Sequence, residues 1–127
     1  MPNSIITISE SAFFGCSGLT GHITLPSSLA TLGKYAFYNT NFSSVTLPSN
    51  LATIGPLAFD EVIMDYAECL ATIPPKLESA NAFGAYYNNK FKYPIYVPDE
   101  SYEEYCQSTN WKDYADVGRL KPLSQKP

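Results

Sequence analysis

Ala12-Phe13 recurs as Ala36-Phe37, Ala58-Phe59 and Ala82-Phe83, at steps of 24, 22 and 24 residues. Between these copies a second phrase returns: Leu25-Pro26-Ser27-Ser28-Leu29, then Leu47-Pro48-Ser49-Asn50-Leu51, then Ile73-Pro74-Pro75-Lys76-Leu77. A period in the low twenties that carries two apolar phrases is the signature of one short supersecondary unit stacked on itself. Such a unit is too small to bury its own apolar face, so neighbouring copies bury it together. The spacing therefore predicts a β-rich solenoid of about four rungs.

Within one unit, Leu32 to Ile54, the segment Leu32-Gly33-Lys34-Tyr35-Ala36-Phe37 places apolar residues at i, i+4 and i+5, as a tight helical or irregular turn does. Phe42-Ser43-Ser44-Val45-Thr46-Leu47 then alternates apolar and polar, as a half-buried strand does. Pro48 closes it, because proline has no N–H for a strand ladder. Leu51 and Ile54 return the chain to the core. The same strand is predicted at His22-Ile23-Thr24-Leu25, near Met64 to Leu70 with Ala67 and Cys69 in the places of Val45 and Leu47, and at Pro94-Ile95-Tyr96-Val97. Ala71-Thr72 is an insertion in the third unit.

After Pro98 the pattern changes, which divides the chain into rungs over 1–98 and a closing segment over 99–127 of one continuous domain. Asp99 or Ser101 is placed to cap a helix with Tyr102, Tyr105 and Cys106 on one face. A second short helix groups Trp111, Tyr114 and Ala115, and Gly118 is placed to stop it. Leu120-Lys121-Pro122-Leu123 is a last extended stretch, with Ser124 to Pro127 as a frayed end. Aromatic faces on short polar helices are what the end of a solenoid needs. At the other end Ile5-Ile6-Thr7-Ile8 leads straight into the first Ala-Phe, so further upstream repeats, or self-association at that edge, are expected.

Composition narrows the function classes. A net charge of -4 disfavours nucleic acid and anionic membranes as partners. Residues 1–59 hold only Glu10 and Lys34 as charges, and Ser, Thr and Asn supply the polarity there. No apolar run approaches the ~18 residues needed to cross a membrane, and Met1 to Glu10 shows no signal-peptide pattern. Three cysteines, Cys16, Cys69 and Cys106, argue against a disulfide framework. One histidine and no Cys-x-x-Cys give no zinc site, and no cofactor is expected.

The phrases Leu-Pro-Ser-Ser-Leu and Leu-Pro-Ser-Asn-Leu, each followed by Leu32-Gly33 or Ile54-Gly55 and then Ala-Phe, resemble the BspA-like leucine-rich repeats, also called the Treponema pallidum type. Phe14-Gly15-Cys16-Ser17-Gly18-Leu19 matches that family's link between Ala-Phe and the strand. The tail resembles the closing segment of surface proteins from gut Bacteroides-type bacteria. There the matching residues are Cys69-Leu70-Ala71-Thr72-Ile73-Pro74-Pro75, Asn81-Ala82-Phe83, Pro94 to Pro98, Ser101, Tyr105, Trp111 and Tyr114-Ala115-Asp116. The resemblance implies a right-handed leucine-rich repeat with short parallel strands on its concave face and a small C-terminal helical cap. It further implies a secreted or cell-surface, non-enzymatic module that adheres to a host or cell-surface protein or glycan. A spacer or cap of a longer repeat protein, with no ligand of its own, is the alternative. The stretch Lys90-Phe91-Lys92-Tyr93 makes the loop before the last strand longer than the family pattern.

Alternation sets the candidate binding residues. Side chains not pointing inward form rows: His22 and Thr24, Ser44 and Thr46, Tyr66 and Glu68, and Tyr96. Tyrosine, histidine and hydroxyl groups in a row suit stacking on sugars or packing against an extended peptide, although any strand face carries polar cover and threonine is a good strand residue. Tyr86, Tyr87, Phe91 and Tyr93 form a second, aromatic candidate, either an exposed patch or cover over the last rung. His22 has only Thr24 as a near neighbour in sequence, so no nucleophile and base pair is assigned. Asp65 with Glu68 has the residue types for glycoside chemistry, as do Glu100, Glu103 and Glu104. The second group has the ordinary explanation of a solvated helix start, and no catalytic residue is assigned from either. Joint replacement of His22, Tyr66 and Tyr96 by alanine is expected to abolish binding without unfolding the chain.

Overall fold

The computed structural model describes residues 4–85 and 92–127. The chain coils into a solenoid with two parallel sheets. The broad sheet orders β2 (His22–Thr24), β4 (Ser44–Leu47), β6 (Tyr66–Cys69), β8 (Ile95–Val97) and β9 (Leu120–Pro122). The narrow sheet orders β1 (Thr7–Ile8), β3 (Thr31–Leu32), β5 (Thr53–Ile54) and β7 (Lys76–Leu77). Both parallel orders follow the chain, each strand pairing with its counterpart one coil later.

The broad-sheet strands lie where alternation places them. Val45 pairs with Ala67 and Leu47 with Cys69, as the sequence register predicts. The narrow sheet is an addition to that reading. Leu51 and Ile54 do return to the core, but Ile54 does so as half of a two-residue strand, with Leu32 paired to Ile54 and Ile54 to Leu77. A strand of two residues is too short to show alternation.

The glycine after each narrow strand is fixed by close approach of the coils. A Cβ on Gly33 would lie 2.5 Å from the backbone nitrogen of Glu10, and one on Gly55 would lie 2.6 Å from that of Lys34. The Ala-Phe turns follow directly. Ser11, Tyr35 and Leu57, each just before an alanine of the motif, hold left-handed backbone at φ of 59°, 59° and 60°. Such conformations cost of order 1–3 kcal/mol for ordinary residues and persist where surroundings enforce them. Here coil-to-coil hydrogen bonds do so: Tyr35 N donates to Pro56 O at 3.1 Å, and Phe13, Phe37 and Phe59 N donate to Ala36, Ala58 and Ala82 O at 2.8 Å.

These turns stack the four phenylalanines. Centroids of Phe13 and Phe37 lie 5.1 Å apart, those of Phe37 and Phe59 5.5 Å, and those of Phe59 and Phe83 5.5 Å, with ring planes within 4° of parallel. Phe37, Phe59 and Phe83 are fully buried, and Phe13 is partly buried.

The column ends against two short helices, α1 (Tyr102–Gln107) and α2 (Trp111–Asp116). Trp111 meets Phe83 at 5.5 Å and Tyr114 meets it edge-on at 5.8 Å. Trp111 Nε1 donates to Pro75 O at 2.7 Å, so the buried indole meets its polar requirement on a buried carbonyl just before the last narrow strand. Gly118, at φ +78°, ends the second helix as expected. Neither Asp99 nor Ser101 caps α1 through its side chain. Asp99 instead accepts from Ser124 N at 3.0 Å, and Ser101 Oγ donates to Thr72 O. Both oxygens are drawn to orphan groups of the coil and the tail, which offer better-placed partners than the helix start. The tail is not frayed: Leu123–Gln125 forms a 3-10 turn.

Replacing Phe59 with alanine removes the ring sandwiched between two others, and the loss expected is about 3–5 kcal/mol. Phe13→Ala, at the open end of the column, should cost less than half as much. Urea denaturation followed by tryptophan fluorescence measures both, and equal losses would refute the stacked-column account.

Candidate functional site

The outer row of the broad sheet is assembled by register. His22 pairs with Ser44 and Ser44 with Tyr66, while Thr24 pairs with Thr46, Thr46 with Glu68 and Glu68 with Tyr96. Residues 22 apart in sequence, and 28 apart for Glu68 and Tyr96, thereby become lateral neighbours about 4.8 Å apart.

The row is chemically connected. His22 Nδ1 lies 2.6 Å from Ser44 Oγ and Nε2 lies 2.8 Å from Thr46 Oγ1. Thr46 Oγ1 donates to Glu68 Oε1 at 2.6 Å, and Lys126 Nζ donates to Glu68 Oε2 at 2.8 Å. An ionised carboxylate only accepts, so the single Thr46 proton goes to Glu68 and Thr46 must accept from His22. The imidazole proton therefore resides on Nε2, and a neutral ring takes the Ser44 proton at Nδ1.

This overturns the expectation that His22 lacks a nucleophile or carboxylate partner. Sequence proximity offers only Thr24, whereas the coil brings Ser44 and, through Thr46, Glu68. Ser44 is nevertheless 5% exposed. Its hydroxyl meets the ring edge at Nδ1 and orients it, and the exposed member of the pair is His22.

Aromatic groups complete the row. Tyr66 lies 6.0 Å from His22 and 6.2 Å from Tyr96, and the Lys126 ammonium stands 4.4 Å from the Tyr66 ring centroid. Tyr96 is 5% exposed and lines the cleft beside Tyr66 without joining the core cluster, so it forms the floor of the site. Thr24 is exposed and borders a groove with Leu25, Pro26, Ser27, Thr46, Pro48, Ser49 and Leu70. Asp65, Tyr66, Tyr96, Lys126 and Pro127 line a second cleft.

Burial alone would raise the Glu68 carboxyl pKa, but hydrogen bonds from Lys126 and Thr46 and the nearby positive charge outweigh it and hold the group below its ordinary value. The Lys126 ammonium is correspondingly raised, first by its bond to Glu68. Reading from sequence missed Lys126: 58 residues separate it from Glu68, and no periodicity links them.

The second candidate group separates. Tyr86, Tyr87 and Phe91 lie outside the described residues. Tyr93 is no surface group. It is 6% exposed, its hydroxyl donates to Phe83 O at 2.8 Å, and the Arg119 guanidinium stacks 4.5 Å from its ring centroid. Covering the end of the phenylalanine column buries it. Of the carboxylate sets, Glu68 is committed to Thr46 and Lys126, while Glu100, Glu103 and Glu104 are exposed at the start of the cap helices. All three cysteines are free thiols, with Cys69 fully buried 3.4 Å from the Tyr105 hydroxyl and Cys16 half-buried. Among the described residues no cluster of three or more metal-type ligands occurs, and no helix is long and apolar enough to cross a membrane.

The geometry accounts for a repeat built on Leu-Pro, Leu-Gly and Ala-Phe, and the sequence profile of the BspA type leucine rich repeat region matches residues 1–79 in six copies. The chain belongs to the BspA-type leucine-rich repeat family. No curated protein matches this sequence. The family is one of protein-interaction repeats, commonly held at the cell surface or secreted.

Because the Glu68 pKa is lower folded than unfolded, its stabilisation is complete above its ordinary value near 4.5 and disappears as pH falls through the lowered one. Glu68→Gln should therefore melt below the natural chain at about pH 6, with the gap closing toward about pH 3. Differential scanning calorimetry across that range checks the sign. A gap that widens on acidification would contradict the assignment.

Proposed function

We propose that this BspA-type module binds a protein or glycan partner along the outer face of its broad sheet, and that it does so without catalysis. The reading rests on one observation: three coils place His22, Thr24, Thr46, Tyr66 and Glu68 in adjacent register positions. A face of this kind offers many modest polar and aromatic contacts, each repeated at the strand spacing. The low charge of residues 1–59 leaves shape and stacking, rather than long-range steering, as the source of affinity. Residues 1–98 serve as rungs in this scheme and 99–127 as the closing cap. Adhesion to host or neighbouring cells, from a surface-held or secreted position, is the biological setting that suits the family.

A second reading has its own observation. His22, Ser44, Thr46, Glu68 and Lys126 satisfy one another within the chain. A self-satisfied row suits a spacer that ends a repeat array and holds no ligand of its own.

The test uses His22→Ala, Thr24→Ala and Tyr66→Ala together, leaving the buried Tyr96 intact. Binding to a panel of extracellular-matrix proteins or to a glycan array should fall about tenfold or more, equivalent to about 1.4 kcal/mol. The melting temperature should stay within about 4 °C. Undiminished binding by the triple variant rules out this face. A natural chain that binds nothing on either array supports the spacer.

A further inference from the structure

We infer that Glu68 and the adjoining Tyr66–Tyr96 cleft form a receptor for a lysine-type ammonium of a protein partner, and that Lys126 of the same chain occupies it in the unbound protein. The inference deepens the proposed use of the broad sheet by naming the group recognised there.

Three features converge. Glu68 Oε2 takes the Lys126 ammonium at 2.8 Å, while Oε1 is held by Thr46 at 2.6 Å. The carboxylate is thus fixed in direction and kept ionised, as a cation acceptor must be. The Tyr66 face lies 4.4 Å from the same nitrogen, within cation–π range, and Tyr96 closes the floor. Asp65, exposed at the rim of the same cleft, adds a second negative charge. An ammonium suits this geometry because it is a compact charge with three donors: one serves Glu68 while the charge stays over the Tyr66 ring.

Lys126 holds the site lightly. It arrives on the short turn Leu123–Gln125, anchored by the exposed contact between Ser124 N and Asp99, and its side chain remains 30% exposed against 14% for Glu68. An incoming lysine on an extended segment makes the same contacts and displaces it. The cis lysine therefore acts as a competitor at high local concentration, and partners without a cation at this position gain nothing by removing it.

The experiment titrates Nα-acetyl-lysine-N-methylamide into the full chain carrying Lys126→Ala, followed by amide chemical shifts in ¹H–¹⁵N NMR. Saturable shifts centred on Tyr66, Glu68 and Tyr96 are expected. The natural chain should bind the same probe about tenfold more weakly, as a site occupied by its own lysine about nine tenths of the time requires. Lys126→Arg should remain as weak as the natural chain, and Lys126→Gln should match the alanine variant, which guards against a fold defect peculiar to one substitution. The norleucine analogue, which keeps the stem and lacks the charge, should not bind. Equal affinity of the natural chain and both neutral variants overturns the inference, as does binding of the norleucine analogue. No shift in either neutral variant at about 100 mM probe, some 1.4 kcal/mol weaker than 10 mM binding, also overturns it. Because the probe is a small amine and no partner is present, these outcomes are independent of the array result that tests use of the face in adhesion.

Discussion

Each coil must set its phenylalanine directly on the ring of the coil before it, and the rest of the molecule follows from that requirement. Parallel strands give rung-to-rung hydrogen bonds at a fixed spacing, and near-parallel rings with centroids 5.1–5.5 Å apart meet a spacing near 4.8 Å by a slight offset. Left-handed residues before each alanine and glycines after each narrow strand serve the same end, since both let adjacent backbones close to contact. Stacked in this way, units that could not fold singly share one continuous core. The column cannot simply stop, because its last ring would face water. Trp111, Tyr114, Tyr93 and Arg119 close it, and the indole nitrogen, the two tyrosine hydroxyls and Arg119 Nη2 donate to carbonyls of the final coil.

The same register that stacks the core rings also writes the surface. Once Phe37 lies over Phe59, Ser44 must lie beside Tyr66 and Thr46 beside Glu68, for the two sides of a strand cannot shift independently. The hydrogen-bond chain from His22 to Lys126 is therefore a by-product of core packing as much as a device of recognition. This double origin explains why some row members are buried. Ser44 and Tyr96 are each 5% exposed, while His22 and Thr24 of the same row are exposed.

Legibility followed length and period. The broad-sheet strands, the phenylalanine slots and the helical cap could be read because apolar alternation and the Ala-Phe step are local signals. The narrow sheet was not read, although Thr7-Ile8, Thr31-Leu32 and Thr53-Ile54 recur in the sequence; two residues carry a motif but no alternation. His22 was judged by its neighbours at i+2, whereas a coil of 22 residues makes i+22 and i+24 the partners that matter. Lys126 was beyond reach, because the tail belongs to no repeat and its path depends on how the cap turns.

The cap thus has two physical effects that sequence treats as one. Its helices shield the apolar end of the column, which any polar-backed aromatic face would do. The turn after β9 does something the core does not need: it carries a cation across the sheet to the one carboxylate in the described outer row. Stability alone gives this contact a small role, since partly exposed ion pairs contribute little. A lysine that stabilises the fold weakly while filling an aromatic and acidic cleft is better understood through what the cleft would otherwise hold. The energy that keeps Lys126 in place is then also the threshold a competing ammonium must exceed. Specificity for a partner would arise from its remaining contacts along the row, beginning at the exposed ring of His22 and the hydroxyl of Thr24.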